Sequence, residues 1–514
     1  MGFFAAAAQL GPMLARTLPS AEGQLRRRRR GFPSTWRTTA EHVELRGTVL
    51  VIYKSKGGGL RSLSSSKSSR RVALHDIAGT GAIRANDAAT RKGFYPFSID
   101  VPGGTLTLHL AASNSDARAN WLKELNRARV VFTHNDLTIL STIGEGHFGK
   151  VVLAQRKGCT GRDGLLALKE IQLTPGMQLH TALTERVLLA SLPLHPFVIT
   201  LQLAFRYDNY LYYGFDFMPG ADMFELIRRK DMRMNLPIAR FYISQVASAL
   251  SHLHAHNIVY RDLKPENVLV DKVGNLCLAD MGLAKRLPRD GLTYTVCGTR
   301  DYLAPEMIEE GRSNVRIGYG LSIDFWQLGC MVYELYAGHS PFWSASHGDC
   351  RDDTARPGSG ATAARILGGD FKRPRGMEPA AWSLAQALLS QSPAERLGTI
   401  ASGPRRPSSD VTTVGGGWGD VRAHAFFEGV DWDAVLRKSV RPPYKPLSTR
   451  KSLVANFNAQ ITARPAWWGA EDEAAARQHR WEQLFTEELR GFAFVRAQPP
   501  PQAEPKQAEI APFE

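Results

Sequence analysis

The chain has 514 residues, a formal charge of +15 at pH 7 and a hydrophobic fraction of 43%. Such a length exceeds a single module, and the composition is that of a globular protein with apolar cores. Its five cysteines form no CxxC pair and have no metal-ligand spacing, which argues against a disulfide framework or a zinc site and favours a reducing, cytoplasmic location. No apolar run reaches the roughly 18 residues that span a bilayer. The positive charge favours anionic partners.

Residues 1–19 form an apolar, Ala-rich leader without a preceding positive charge, and we expect it to be disordered. Strand patterns follow. The alternation of apolar residues between 43 and 53 predicts half-buried strands, and further strand-like runs lie at 72–74, 97–101 and 106–110. A helix comes last, with Ser115 as its predicted cap and with Trp121 and Leu125 on one face.

This order of strands and one closing helix, with LRRRRR at 25–30 and Trp-Arg at 36–37, resembles a pleckstrin-homology domain. The resemblance implies a phosphoinositide site between the first strands, where arginines bind phosphates through paired hydrogen bonds. Arg28, Arg30 and Arg37 are the candidates. A run of five arginines is also typical of a solvated tail or of a nucleic-acid or nuclear-import patch, and that alternative stays open.

The octapeptide YRDLKPEN at residues 260–267 places a carboxylate, an ammonium and an amide at fixed spacing. In the protein-kinase signature, the aspartate accepts the proton of the attacking hydroxyl and the asparagine five residues later holds Mg²⁺. Asp262 and Asn267 stand at those positions, and Lys264 lies between them. The octapeptide, with Tyr in place of His, resembles eukaryotic protein kinases and, in that substitution, their AGC group. Lys264 then implies Ser/Thr rather than Tyr substrates.

A glycine-rich segment, IGEGHFGKV at 143–151, lies between two apolar runs, so its backbone amides could approach phosphates. A dinucleotide-binding fold would need an acidic residue about twenty positions later, but Lys169 stands there and suits the phosphate-binding lysine of kinases. Glu185 is its predicted ion-pair partner, a few residues nearer than in typical AGC kinases; an ordinary helix-surface charge is the alternative.

The segment 211–220 ends a predicted strand at Pro-Gly, as the hinge of a kinase does, so adenine should bond to the backbone of Asp216 and Met218, with Phe215 as gatekeeper. The full set of residues expected to bind ATP is Ile143, Gly144, Glu145, Gly146, His147, Phe148, Gly149, Val151, Ala167, Lys169, Asp216, Met218 and Leu269.

Asp280 opens Asp-Met-Gly in place of the usual Asp-Phe-Gly and keeps the carboxylate that binds Mg²⁺. The string TVCGTRDYLAPE at 295–306 is nearly that of AGC kinases. This resemblance implies that an upstream kinase phosphorylates Thr295 and that Arg261 and Lys285 bind the phosphate. Arg300 stands where the family has proline.

Three acidic residues, Asp222, Glu266 and Glu334, match positions through which many AGC kinases attract arginines that precede the phosphorylated residue. The resemblance also implies that Glu306 pairs with Arg396 and that Asp324 supports the backbone of the catalytic loop. Three histidines, at 252, 254 and 256, lie in a helix predicted over 239–256, and we interpret them as ordinary residues of the helix surface and end.

The C-terminal segment 428–497 resembles the AGC tail, and LRGFAF at 489–494 resembles its hydrophobic motif. Ala493 replaces the phosphorylated residue, so Phe492 and Phe494 are predicted to dock through apolar burial alone. Two stretches, 344–364 and 400–419, are rich in Gly, Ser, Pro and Thr and are predicted surface insertions away from the chemistry. Residues 498–514 have the composition of a disordered tail.

The sequence therefore predicts an α+β chain: a two-lobed protein-kinase fold at 136–427, preceded at 20–130 by a small β-barrel with a C-terminal helix, an order similar to that of protein kinase B. We expect an ATP- and Mg²⁺-dependent serine/threonine kinase of protein substrates, recruited peripherally to a phosphoinositide membrane, with nucleic acid an unfavoured partner. Its rivals are a pseudokinase scaffold, and an active kinase whose basic N-terminal region binds no lipid.

Overall fold

A computed structural model gives the architecture of the chain. It describes residues 21–27, 41–46, 49–54, 71–76, 83–85, 95–101, 106–128, 132–146, 149–162, 164–173, 179–229, 232, 234–312, 316–343, 360–399, 417–446, 453–464, 466, 468 and 492–495. Several predictions concern other residues: the leader, the arginines Arg28, Arg30 and Arg37, most of both insertions, His147, Phe148 and the end of the tail.

The chain forms two compact units. The first consists of Met1–Ser191, Leu201–Asp216 and Ala459–Gln502, and the second of Leu192–Thr200, Phe217–Asn458 and Ala503–Glu514. Chain connectivity therefore does not follow the units: the first unit receives a long C-terminal segment, and the second receives a short loop from residues 192–200.

Among the described residues, seven antiparallel strands open the first unit, and the alternating sequence gives β2 and β3 one apolar face each. They pair in the order β4-β3-β2-β1-β7-β6-β5. The strands are β1 Ala21–Arg27, β2 Glu41–Arg46, β3 Val49–Lys54, β4 Arg71–Asp76, β5 Ile83–Ala85, β6 Tyr95–Val101 and β7 Leu106–Ala112. Helix α1, Ser115–Ala128, follows them, so the predicted order of strands and closing helix is present.

Helix α1 packs against this sheet through Trp121 and Leu125, the two residues predicted to share a face. They join a buried cluster with Val43, Phe97, Ile99, Leu108, Leu110 and Ala112. The predicted cap was wrong by one residue. The side chain of Asn114 accepts a hydrogen bond from the N–H of Ala117 at 2.7 Å, whereas the Ser115 hydroxyl bonds to its neighbour Asp116.

A second antiparallel sheet follows in the same unit. Its strands are β8 Leu137–Gly146, β9 Gly149–Arg156, β10 Leu165–Gln172, β11 Leu201–Tyr207, β12 Tyr210–Asp216 and the short β17 Phe494–Val495, paired in the order β17-β11-β12-β10-β9-β8. Helix α2, Leu179–Ser191, lies between β10 and β11 in the sequence. Along β10, Leu166 and Leu168 are buried while Ala167 and Lys169 are only partly buried, so the strand alternation places these two predicted site residues on the face opposite the core.

The core face of this sheet is covered by Trp468 from the C-terminal segment. Its indole is 9% exposed and joins a cluster that includes Leu168, Phe205 and Tyr212. The ring centroids of Trp468 and Tyr212 are 5.3 Å apart with the rings nearly perpendicular, a favourable geometry for aromatic pairs. A short helix, α11 Ala459–Thr462, lies just before it and packs on β8.

The second unit is mainly helical. Its helices are α3 Met223–Ile227, α4 Leu236–Ala255, α5 Pro305–Arg312, α6 Ser322–Ala337, α7 Ala361–Gly368, α8 Pro379–Leu388, α9 Trp418–Ala423 and α10 Trp432–Leu436. Two small antiparallel pairs join β13 Ile258–Val259 to β16 Lys285–Arg286 and β14 Val268–Val270 to β15 Leu276–Leu278. Helix α6 is buried along nearly its whole length, so it forms the centre of this unit.

Helix α4 begins three residues before the predicted start. Asn235 caps it by accepting a hydrogen bond from the N–H of Ile238 at 3.0 Å, and Pro237 occupies the first turn, where proline's missing N–H costs nothing. Among the described residues, none of the helices is both long and apolar enough to cross a membrane.

Candidate active site

The catalytic-loop carboxylate Asp262 is held by three hydrogen bonds. Its Oδ2 accepts from the Nδ2 of Asn267 at 2.8 Å, and its Oδ1 accepts from the N–H of Thr299 at 3.0 Å and from the Thr299 hydroxyl at 2.8 Å. The Nζ of Lys264 lies 3.6 Å from Oδ2. The structure thus brings together the three polar groups that the octapeptide predicted, and fixes the orientation of the carboxylate.

Thr299 is a site residue to which the sequence analysis assigned no role. Its hydroxyl donates to Asp262 and accepts from the Nζ of Lys264 at 2.8 Å, so it joins both charged groups. Gly298 makes this approach possible: its φ is +103°, and a Cβ there would lie 2.6 Å from the carbonyl oxygen of Arg261. The signal was present in the sequence, as a Gly-Thr pair within the activation string.

Helix α6 supports the backbone of the catalytic loop, as the sequence predicted for Asp324. One carboxylate oxygen of Asp324 accepts from the N–H of Tyr260 at 2.8 Å, and the other from the N–H of Arg261 at 2.9 Å. Gln327, one turn later, donates to the carbonyl of Arg261 and accepts from the N–H of Leu263, both at 3.0 Å. Arg261 has φ +73°, a conformation that costs a non-glycine residue about 1–3 kcal/mol, and these bonds hold it there.

His254 corrects the interpretation of the three histidines as surface residues. It is 6% exposed, and its Nε2 lies 2.8 Å from Asp324 Oδ2. The other two histidines are only partly buried. The ring of His252 stacks on His195 with centroids 4.7 Å apart, and burial is the main reason that the pKa of His252 lies below its ordinary value. The helical spacing could not show which histidine faces α6.

The residues predicted to hold Mg²⁺ are Asn267 and Asp280. Asn267 uses its Nδ2 on Asp262, which leaves its amide oxygen as an acceptor. The N–H of Ala279 donates to the backbone carbonyl of Asn267 at 2.8 Å. Asp280 is the next residue in the chain after this contact. Amide and carboxylate oxygens are the ligand types that Mg²⁺ takes when substrate phosphates and water complete its shell. This donor set fits the ion.

Met281, which replaces the usual phenylalanine, is 1% exposed. The thioether side chain is therefore packed in the core, and its backbone carbonyl accepts from the N–H of Ala284 at 3.0 Å. A flexible apolar side chain fills irregular space well, so the substitution keeps this segment anchored next to Asp280.

The first unit contains the predicted ion pair of a lysine and a glutamate. The Nζ of Lys169 on β10 lies 3.0 Å from Oε1 of Glu185 on α2, which is the predicted pairing in spite of the short sequence interval. Glu185 is 4% exposed. A buried carboxylate with a cationic partner keeps its charge and fixes the lysine amine in one place, as a phosphate-binding lysine needs.

The glycine-rich strand lies next to this pair. Val151 is the register partner of Lys169, and Gly149 has φ +127° with no room for a Cβ, which would lie 2.1 Å from the carbonyl oxygen of Glu170. Glu145 forms an ion pair with Arg464 of the C-terminal segment. Ile143, Val151 and Ala167 are partly buried.

Three other predicted nucleotide-binding residues, Asp216, Met218 and Leu269, are also described. Asp216 ends β12 in the first unit, where its carboxylate accepts from the Nε2 of Gln202 at 3.0 Å. Met218 and Leu269 belong to the second unit. Both are partly buried.

Within the first unit, the C-terminal segment docks on α2, β11 and β12 by more than the predicted apolar burial. Phe492 is 3% exposed and its ring stacks with Tyr213 at a centroid distance of 5.8 Å. Arg186 follows Glu185 in the sequence and is buried. It donates to the carbonyls of Phe492 and Ala493, both at 3.1 Å. Strand β17 also pairs with β11. The prediction that Phe492 docks through apolar contact alone was therefore wrong.

In the activation segment, Thr295 is exposed and its backbone carbonyl accepts a hydrogen bond from the hydroxyl of Tyr319. Lys285 donates to the nearby Thr293 hydroxyl at 2.9 Å. Arg261 donates from its Nε to the carbonyl of Leu283 at 2.6 Å. Burial, with Arg261 as a second cause, lowers the pKa of Lys285.

The expected ion pair between Glu306 and Arg396 is present. It is bidentate, with distances of 2.6 and 2.9 Å, and both residues are buried. It ties the end of the activation string to the loop after α8, so its role is to hold the fold together beside the catalytic loop.

The surroundings of the three acids predicted to bind substrate are as follows. The Tyr302 hydroxyl donates to Glu334, and both Glu334 and Glu266 help to raise the pKa of this buried tyrosine, after burial itself. Burial raises the pKa of Asp222 to about 6, with the neighbouring charges of Glu225 and Glu266 as further causes. Glu266 thus acts electrostatically on both Asp222 and Tyr302, and Tyr302 is the hydrogen-bond partner of Glu334.

The sequence pattern of the protein kinase domain matches residues 137–403, more than half of the chain, and the chain therefore belongs to the protein kinase family. A cAMP-dependent protein kinase catalytic subunit of Arthrobotrys oligospora is 33% identical over 398 residues, which cover 75% of this chain and 70% of that protein.

Two further relatives have the same character. The RAC-beta serine/threonine-protein kinase of Mus musculus is 33% identical over 71% of this chain and 69% of its own length. Protein kinase C-like 1B of Caenorhabditis elegans is 32% identical over 77% of this chain, and the matched part is 47% of that relative, so the chain spans about half of its length. These relatives are AGC kinases, the group that the sequence motifs indicated.

Proposed function

We propose that this chain is an AGC-type serine/threonine protein kinase, which transfers the γ-phosphoryl group of ATP to serine or threonine in proteins. The main support for this proposal is the set of hydrogen bonds that orients the Asp262 carboxylate. Asn267 and Thr299 donate to it, and Lys264 lies close to both Asp262 and Thr299. A carboxylate fixed in this way can orient the acceptor hydroxyl and take its proton, while Lys264 offers positive charge to the transferred group.

The remaining charged groups have complementary roles in this proposal. Lys169, fixed by Glu185, binds ATP phosphates. Asp280 and Asn267 hold Mg²⁺, which when bound neutralises charge on the phosphates. Since phosphoryl transfer relies mainly on positioning and charge neutralisation, the enzyme needs few groups and needs them rigid. All of them are present, which argues against the pseudokinase scaffold.

Replacing Asp262 with Asn removes the proton acceptor but keeps the shape of the side chain. We expect phosphate transfer to an Arg-rich serine peptide to fall by about 10²- to 10⁴-fold, measured with radiolabelled ATP, while ATP still binds. The exposed Asp370 gives a matched control, because Asp370→Asn should leave the rate unchanged.

Thr295→Ala should also lower the rate, since we propose that an upstream kinase phosphorylates Thr295 and that Arg261 and Lys285 bind the phosphate. An inactive wild-type chain phosphorylated on Thr295 would favour the scaffold.

We propose further that the acids Asp222, Glu266 and Glu334 bind arginines preceding the phosphorylated residue. The raised pKa of Asp222, about 6, gives this a pH signature. The carboxylate is charged above pH 6 and loses its charge as the pH falls through that value, so its attraction for arginine is lost on the acid side. Guanidinium–carboxylate bonds are among the stronger hydrogen bonds in proteins.

The KM for an Arg-containing peptide should therefore rise by about tenfold as the pH falls from 7.5 to 5, which is the weight of one charge-assisted bond. In Asp222→Asn the KM should be high and flat over the same range. A peptide with the arginine replaced by alanine serves as control, and its KM should not follow this profile. An unchanged profile in Asp222→Asn would remove Asp222 from the recognition of arginine.

The N-terminal strands and closing helix support a second part of the proposal, that this region is a pleckstrin-homology-like domain that recruits the kinase peripherally to phosphoinositide membranes, with Arg28, Arg30 and Arg37 in the lipid site. Vesicles with phosphoinositide should bind the full chain at physiological salt and stimulate transfer several-fold, whereas phosphatidylcholine vesicles should not. The triple Arg→Ala variant should lose both effects. Tight oligonucleotide binding with no response to vesicles would instead support a nucleic-acid or import patch.

A further inference from the structure

Trp418, at the first position of α9, contacts the group that supports the catalytic loop. Its indole N–H donates to the Nδ1 of His254 at 3.1 Å, and its ring lies 4.7 Å from the ring of Phe325, centroid to centroid. The stretch 400–419 was predicted to be a surface insertion away from the chemistry, and most of it lies outside the described residues. Trp418, near its end, bonds to His254, which in turn bonds to Asp324.

The two partners of His254 determine its tautomer. An indole N–H can only donate, so Nδ1 of His254 must be the unprotonated nitrogen. Ionised carboxylate oxygens can only accept, so Nε2, 2.8 Å from Asp324, must carry the proton. Two partners of opposite hydrogen-bonding character therefore select one neutral form of the ring and one orientation.

That orientation matters because of what Asp324 does. Its Oδ2 accepts from both the His254 ring and the N–H of Tyr260, and its Oδ1 accepts from the N–H of Arg261. With the other tautomer, a lone pair of Nε2 would face Oδ2 and repel it. The carboxylate would then move away from the two amides that hold Arg261 at φ +73°, directly before Asp262.

We propose that Trp418 is a positioning residue for phosphoryl transfer: its N–H fixes the tautomer of His254, which fixes Asp324 and so the catalytic loop. The inference rests on the proposed kinase function. It concerns the rate of the chemical step, since neither Trp418 nor His254 belongs to the set of residues assigned to ATP or to the peptide.

Trp418→Phe tests this, because it removes the N–H donor and keeps an aromatic ring against Phe325. We expect kcat for an Arg-rich serine peptide to fall roughly tenfold, the lower end of the effect that losing a hydrogen-bond partner of a ligand has in metal sites, with KM for ATP and peptide unchanged. Trp432→Phe is the matched control. The ring of Trp432 packs on Phe427, and its replacement should leave kcat unchanged.

Two further measurements separate positioning from a structural role. Glutamine has no imidazole ring and therefore no tautomer for Trp418 to select. In a His254→Gln background, adding Trp418→Phe should thus change kcat no further. In ¹⁵N spectra of the histidine-labelled chain, one ring should show an unprotonated Nδ1 and a protonated, slowly exchanging Nε2, and this signal should shift in Trp418→Phe. This readout needs no activity and remains decisive if the wild-type chain transfers no phosphate.

An active wild type with kcat equal to that of Trp418→Phe would overturn the inference and leave the kinase function standing. So would an unchanged ¹⁵N signal in Trp418→Phe, or a rise in KM together with a lower melting temperature and no change in kcat. Additive effects of Trp418→Phe and His254→Gln would also contradict it, because they would show that Trp418 does not act through His254.

Discussion

The Asp324 carboxylate is the group on which the active site depends. It is fully buried, and it accepts hydrogen bonds from two consecutive amides of the catalytic loop and from His254. A loop of irregular backbone has no strand or helix to satisfy these amides, and leaving them unpaired in the interior would cost about 1–3 kcal/mol each. Because α6 is itself buried on nearly all sides, its hydrogen bonds hold the backbone of the catalytic loop in one conformation. The left-handed conformation of Arg261 is tolerated for the same reason.

Each unit orders its functional groups by a separate device. In the second unit, α6 and the Gly298–Thr299 turn fix Asp262 from two directions. In the first unit, Glu185 fixes Lys169, and the next residue in the chain, Arg186, binds the carbonyls of the C-terminal segment. Burial lowers the pKa of Arg186 to about 10, and the two carbonyls compensate for its desolvation. Since Ala493 cannot be phosphorylated, this backbone contact holds the segment without a regulatory charge.

Much of the site was predictable, because many of the functional residues of a kinase lie in short contiguous sequence motifs. The spacing within YRDLKPEN places Asp262 and Asn267 in contact as soon as the loop forms. The pairing of Lys169 with Glu185 was expected from the resemblance to protein kinases, in spite of the short interval between the two residues. The N-terminal strands were only partly foreseen. Alternation identified β2 and β3, and strand-like runs identified β4, β6 and β7, whereas the short β5 and the arginine-rich β1 have no clear period.

Other features depend on contacts that a pattern does not record. Gln327 and Asp324 reach the loop across more than sixty residues, and Trp418 reaches His254 across 164. A helical period shows that three histidines lie on α4, but not that one of them faces a carboxylate. Likewise, a motif identifies Phe492 but does not reveal that backbone carbonyls beside it are acceptors for Arg186. Asn114 and Ser115 are both competent caps, and only the local geometry selects the first.

The most direct test of this account is hydrogen–deuterium exchange over residues 258–263, compared between the wild type and Asp324→Asn. The substitution preserves shape but places an amide N–H₂ against backbone or imidazole N–H groups, so one acceptor is lost. We predict slow exchange of the Tyr260 and Arg261 amides in the wild type and exchange at least tenfold faster in the variant, together with loss of phosphate transfer, while the amide of Leu278 in β15 stays protected. Equal protection of the loop in both proteins would contradict the claim that Asp324 holds the catalytic loop in place.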